Sequence, residues 1–219
     1  MFKGESPDNY EPKCLCVLVL DTSASMAGEA ITQLNRGLKI LHQEISADYI
    51  ASQRLEISII TFNNSIQRLQ EPKLVEDFVM PTLFASGSTR LVDGVFEALK
   101  LVEARKLWYK ETGQSYFRPL LFLMTDGEPD ADQNIRALQQ QLQSSVEQKK
   151  LSFYAVGVQG YDHARLSAVC PANMPPLPLE GYKFAEFFKW LSNSVSAISQ
   201  SREADNQLPA PDSWAQVQI

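Results

Sequence analysis

The sequence predicts a doubly wound α/β fold: a mostly parallel central sheet with one antiparallel edge strand and helices on both faces. Three observations predict it. Short, unbroken apolar runs recur along the chain, the pattern of strands covered on both faces. Between them lie stretches with apolar residues every three or four positions, the period of one helix face. The two patterns alternate, which implies parallel strands joined by right-handed crossovers.

The first run is Cys14-Leu15-Cys16-Val17-Leu18-Val19-Leu20, ending at Asp21. A helix pattern follows, with Ile31, Leu34, Leu38, Leu41 and Ile45 on one face. Residues 55–62, Leu-Glu-Ile-Ser-Ile-Ile-Thr-Phe, read as the second strand. The Asn63-Asn64 pair after it tolerates positive φ and predicts a tight hairpin into residues 65–69, the antiparallel edge. Leu91, Val95, Ala98 and Val102 step as a second long helix, and residues 119–124 as a buried strand. Ile135, Leu138, Leu142 and Val146 mark another helix, followed by a strand over residues 152–158 and a short edge piece over 177–179. Phe184, Phe187, Phe188, Leu191, Val195 and Ile198 form the apolar face of a last helix. Trp190 lies off that stripe and is expected to be partly exposed. The organisation expected is an N-terminal extension over residues 1–11, one domain over 12–200, and a flexible tail over 201–219 with few apolar residues and two prolines.

Composition narrows the function. Of 219 residues, 44% are hydrophobic and 21% charged, which excludes a fully disordered chain and supplies a sizeable core. Lys plus Arg is 20 against 26 Asp plus Glu, a net charge of −6. That balance argues against nucleic acid as a partner, since phosphates need a basic stripe. No run reaches the ~18 apolar residues of a membrane span. Residues 1–13 are polar, without the apolar core of a secretory signal, and the three cysteines are too few and odd for a disulfide framework. A cytoplasmic protein is expected. Cys14 and Cys16 read as small buried hydrophobes rather than a soft-metal pair. His42 and His163 have no ligand-spaced neighbours.

In an open parallel sheet, ligands bind beyond the carboxyl ends of the strands. Three polar clusters are placed for such a site: Asp21-Thr22-Ser23-Ala24-Ser25, Gly87-Ser88-Thr89 and Thr125-Asp126-Gly127. They offer carboxylates from Asp21 and Asp126 and hydroxyls from Ser23, Ser25 and Thr89, with no histidine or cysteine. Oxygen-only coordination selects a hard cation, Mg²⁺ first, with Mn²⁺ or Ca²⁺ behind it. Alternate residues of an extended segment share a face, so Asp21, Ser23 and Ser25 can turn toward one point. The competing reading makes Ser23 or Ser25 a helix cap. Glu128, Asp130 and Asp132 are read as favourable acids at a helix N-terminus. Arg90 is placed to tune which anion approaches.

Asp21-x-Ser23-x-Ser25, Thr89, and Asp126 within Thr-Asp-Gly resemble the metal-ion-dependent adhesion site of von Willebrand factor A domains. The segments 20–26, 61–63 and 183–192 narrow the resemblance to the bacterial TerY-like branch linked to tellurium resistance. The resemblance implies direct metal bonds from Ser23, Ser25 and Thr89, and bonds through water from Asp21 and Asp126. It also implies a non-enzymatic module whose metal takes a partner's Asp or Glu carboxylate. Such domains accompany kinase-like and phosphatase-like proteins in stress-response systems. Ala24 departs from the glycine of many members, but leaves room.

Two other functions compete. A Mg²⁺-dependent phosphohydrolase would need a base or nucleophile beside the metal, and the three loops hold no lysine or histidine. Nor does any phosphate-binding glycine motif occur. An extracellular adhesion domain fits poorly with the cysteine count and the polar N-terminus.

Overall fold

The computed structural model describes residue 2, residues 6–200, and residues 208, 214 and 215. Its sheet is built from β1 (Cys14–Asp21), β2 (Leu55–Phe62), β3 (Ile66–Leu74), β4 (Leu120–Thr125), β5 (Ser152–Gly157) and β6 (Leu177–Pro178). Their spatial order is β3-β2-β1-β4-β5-β6. β3 runs antiparallel to β2, and every other pairing is parallel. The helices are α1 (Glu29–Ala47), α2 (Tyr49–Arg54), α3 (Leu91–Thr112), α4 (Ile135–Glu147), α5 (His163–Val169) and α6 (Phe184–Gln200). This is the mostly parallel sheet with one antiparallel edge that the sequence predicts.

All eight residues of β1 and of β2 are buried, because each strand is covered on both faces. Alternation then divides the core in two. Cys14, Cys16, Leu18 and Leu20 pack with Leu34, Leu38, Leu41, Phe187 and Phe188, which sets α1 and α6 on one face. Leu15, Val17 and Val19 pack with Val95, Ala98, Val102, Leu142 and Leu166, which sets α3, α4 and α5 on the other. The three cysteines are free and buried. Burial, with Glu56 adding to it, pushes the Cys14 thiol up to about 12, and burial does the same for Cys170.

The amino ends of the strands hold a buried ionic group. Arg105 of α3 donates to both carboxylate oxygens of Glu56 at 2.8 and 2.7 Å, and the Tyr109 hydroxyl donates to the same carboxylate. The guanidinium lies 3.8 Å from the Trp108 ring centroid and 4.8 Å from that of Phe2. Part of the N-terminal extension is therefore folded onto the domain.

Several expectations are corrected. The hairpin turn does not use positive φ at Asn63 or Asn64. Instead the Asn63 side chain accepts from the Ser65 N–H at 2.9 Å and closes the turn locally. β3 continues to Leu74, beyond the expected end at residue 69. Trp190 is buried, because its face off the α6 stripe packs against Trp214, with ring centroids 5.0 Å apart. Within the segment expected to be a flexible tail, Trp214 is fully buried and its carbonyl accepts from the Glu180 N–H at 2.9 Å. Ala215 forms an antiparallel bridge to Leu179, and most of residues 201–219 lie outside the described residues.

Candidate metal centre

The strand order reverses around β1. From β1 the chain builds β2 and β3 on one side, then returns to lay β4, β5 and β6 on the other. The crevice between the carboxyl ends of β1 and β4 is the switch point at which open α/β sheets bind ligands. Leu20 pairs with Met124, so Asp21 stands beside Thr125 at that crevice, with Asp126 the next residue.

The five expected residues divide into a buried base and an open rim. Asp21 is fully buried, and one of its oxygens accepts from the Ser23 N–H at 2.8 Å. Its other oxygen accepts from the buried Thr125 hydroxyl, which in turn accepts from the Gly127 N–H at 3.0 Å. The Ser23 and Ser25 hydroxyls are 2.9 Å apart, and the Ser25 hydroxyl donates to Asp126 at 2.7 Å. Thr89 closes the group from the third loop. Its hydroxyl lies 3.4 Å, and an Asp21 carboxylate oxygen 3.6 Å, from where a Cβ on Gly127 would sit. Ser25 is exposed and Asp126 half-buried, so the cluster opens to solvent on their side.

These side chains are not consumed by local structure. The short 3₁₀ turn Ala24–Met26 follows Ser23, whose side chain makes no cap bond, and α1 starts at Glu29 with Gly28 at its cap position. The capping role for Ser23 and Ser25 is therefore not realised. Burial pushes the Asp21 carboxyl up to about 6, opposed by hydrogen bonds from Ser23 and Thr125 and reinforced by Asp126. Burial likewise raises Asp126. Neither carboxylate is paired with a basic side chain among the described residues. A pair of partly desolvated acids without a counter-charge is a place where a cation is favourable.

The donor set fits a hard divalent ion. No group of three or more His, Cys, Asp or Glu side chains able to hold a metal occurs among the described residues, so the hydroxyls are indispensable. Adjacent ligands of an octahedral Mg²⁺ at 2.0–2.1 Å stand about 2.9 Å apart. The Ser23–Ser25 separation has that value.

Residues outside the expected set hold the loops in place. The Asp130 carboxylate accepts from the Ser88 hydroxyl at 2.9 Å and from the Thr89 N–H at 3.1 Å, while the Asp130 N–H donates to the Thr89 carbonyl at 3.0 Å. Gln133 donates to that same carbonyl at 2.8 Å and accepts from the Val92 N–H at 2.6 Å. Asp130 is thus a clamp on the Thr89 loop and not a helix-terminal charge. α4 starts only at Ile135, capped by Asn134. Asp132 pairs with Arg90 at 3.3 Å and Glu128 with Arg165 at 2.8 Å. Arg90 is also bound to Asp93, so its charge is largely matched.

The fold is similar to solved structures at low identity. The ArnB paralog VWA2 from Sulfolobus acidocaldarius aligns with a TM-score of 0.53 and 16% identity, over 84% of this chain and 44% of that one. The vWF domain of the type V pili tip protein Mfa5 from Porphyromonas gingivalis aligns at 0.61 and 10%, over 88% and 98%. Proximal thread matrix protein 1 from the mussel byssus, with a zinc-occupied MIDAS motif, aligns at 0.54 and 14%, over 87% and 47%. The chain therefore spans less than half the length of the first and third of these. No protein of curated function matches the sequence. The von Willebrand factor type A domain family matches residues 16–186, most of the chain, and the chain belongs to that family.

Proposed function

We propose that this domain is a non-enzymatic protein-binding module that recognises a partner's Asp or Glu carboxylate through a divalent cation. Asp21, Ser23, Ser25, Thr89 and Asp126 would hold that cation, Mg²⁺ first, with Mn²⁺ or Ca²⁺ as substitutes. The supporting observation is the convergence of five oxygen side chains from three loops, with the Ser23–Ser25 and Ser25–Asp126 contacts at 2.9 and 2.7 Å. The zinc-occupied MIDAS motif of the mussel relative supports a divalent ion at this position.

The chemistry follows from which residues are charged. Ser23, Ser25 and Thr89 are neutral donors, so direct bonds from them leave most of the cation's charge unneutralised. Asp21 and Asp126 would supply the negative charge that balances the ion. A bound ion would supply one free coordination position for an anionic oxygen. Ser25 and Asp126 are the ligands nearest solvent and frame the approach of a partner.

The setting we propose is a bacterial TerY-like tellurite-resistance or stress-response system in the cytoplasm, with kinase-like or phosphatase-like proteins as partners. Its support is the sequence resemblance over segments 20–26, 61–63 and 183–192. No helix among the described residues is long and apolar enough to cross a membrane. The test is capture of partners from host lysate on the purified protein in Mg²⁺ and again in EDTA, with Asp126→Ala beside it. A partner retained only by the unmodified protein in Mg²⁺ is the expected result. Partners equally retained in EDTA contradict the metal-bridged mechanism.

A further inference from the structure

Beside the metal-site loops, one large apolar side chain stands in solvent. Phe84 is 80% exposed, whereas its neighbour Leu83 is buried. The segment that carries it is fixed on both sides. The Asn35 side chain of α1 accepts from the Leu83 N–H at 2.7 Å and donates to the Leu83 carbonyl at 2.9 Å. Two residues after Phe84, the Ser86 N–H donates to the Thr22 carbonyl at 2.8 Å, and the Ala24 N–H donates to the Gly87 carbonyl at 3.0 Å. Gly87 has φ +80°, and a Cβ there would meet the Asn64 side-chain oxygen at 2.6 Å. Phe84 is thus held between two anchors, and the second grips the residues on either side of Ser23.

An aromatic ring on an ordered backbone is the kind of group that dominates interfaces, since little freedom is lost when it is covered. Phe84 lies two residues from Ser86, at most about 7 Å along the chain, and Ser86 is bonded to Thr22, the neighbour of Ser23. A partner lying extended across the metal site reaches it with a side chain two or three positions from the coordinating carboxylate.

Charge selects further among partners. Glu128, Asp130 and Asp132 follow Asp126, and Glu29 opens α1. The cations on this rim, Arg90 and Arg165, are already paired with Asp93, Asp132, Glu128 and Asp162. A second or third carboxylate on the partner would meet these like charges.

Resting on the metal-bridged reading above, we propose that Phe84 is a specificity-determining contact of this surface. The partner motif it fits is a single Asp or Glu with a large apolar side chain two or three residues away, and not a run of acids.

Random peptides displayed on phage test this, selected in Mg²⁺ on the full chain and on Phe84→Ala, and eluted with EDTA. The unmodified protein is expected to enrich a lone carboxylate with a nearby large apolar residue. Phe84→Ala is expected to keep the carboxylate and lose the apolar preference, with selected peptides binding it about tenfold more weakly. Phe84→Leu should retain most of the binding, and Mg²⁺ affinity should be the same in all three forms. The same apolar preference on Phe84→Ala, or enrichment of acidic runs, overturns the role given to Phe84. No EDTA-eluted peptides from the unmodified protein would instead contradict the metal-bridged reading itself.

Discussion

Asp21 is a buried carboxylate held by neutral donors, the Ser23 N–H and the Thr125 hydroxyl, with another acid, Asp126, nearby. Removing one partner of a buried charge pair is strongly destabilising, and here no basic partner exists among the described residues. A cation would complete the group. The five oxygen residues were legible because each cluster is local in sequence and falls at a loop where the chain leaves or enters an element. The clamp was not legible. Asp130 and Gln133 act on Thr89 across 41 and 44 residues, and only the folded loops bring them together. A hydrogen bond to a charged group contributes about 1.5–3 kcal/mol, and partial exposure of Asp130 reduces this. Asp130→Ala is therefore expected to lower stability by about 1–2 kcal/mol and to weaken Mg²⁺ binding by about three- to tenfold. Titration calorimetry beside urea denaturation checks it. Undiminished affinity would mean that the Thr89 loop is set by other contacts.

Helices long enough to repeat their period were visible, and short ones were not. α2 and α5 have six and seven residues, under two turns each, too few to establish a face. The hairpin after β2 was visible as a turn, although its mechanism is an Asn63 side-chain bond and not positive φ. The contact between α1 and α6 depends on Gly37. A Cβ there would come within 2.6 Å of the Phe188 ring, 3.0 Å of the Phe184 Cβ and 3.1 Å of its carbonyl oxygen. The ring can turn, but the backbone of α6 cannot yield without moving the helix. Gly37→Ala is expected to cost about 1–3 kcal/mol by overpacking, read from urea unfolding, while Mg²⁺ affinity stays the same. A neutral or stabilising result would show that α1 and α6 separate easily.

At the scale of the whole molecule, the alternation of strand and helix patterns was enough to predict a two-faced sheet. The reversal of strand order around β1 then opens a crevice between β1 and β4, where the candidate residues lie. The return of the chain after α6 was not foreseen. Among the described residues its most buried anchor is Trp214, in a polar segment without periodicity, which fills a slot against Phe187 and Trp190 at centroid distances of 4.9 and 5.0 Å. The same contact explains why Trp190, off the main stripe, is buried. Trp214→Ala is expected to lower stability by about 3–5 kcal/mol, measured by urea denaturation, without loss of the metal site. A change below about 1 kcal/mol would indicate a loosely held segment.

The most direct test of the metal centre is a calorimetric Mg²⁺ titration of the full chain, run beside Asp21→Ala and Ser23→Ala with circular dichroism as the control for folding. One saturable site in the unmodified protein, absent from both variants although they remain folded, is the predicted result. No binding by the unmodified protein, or undiminished binding by Asp21→Ala, would contradict the assignment of these five residues to a cation.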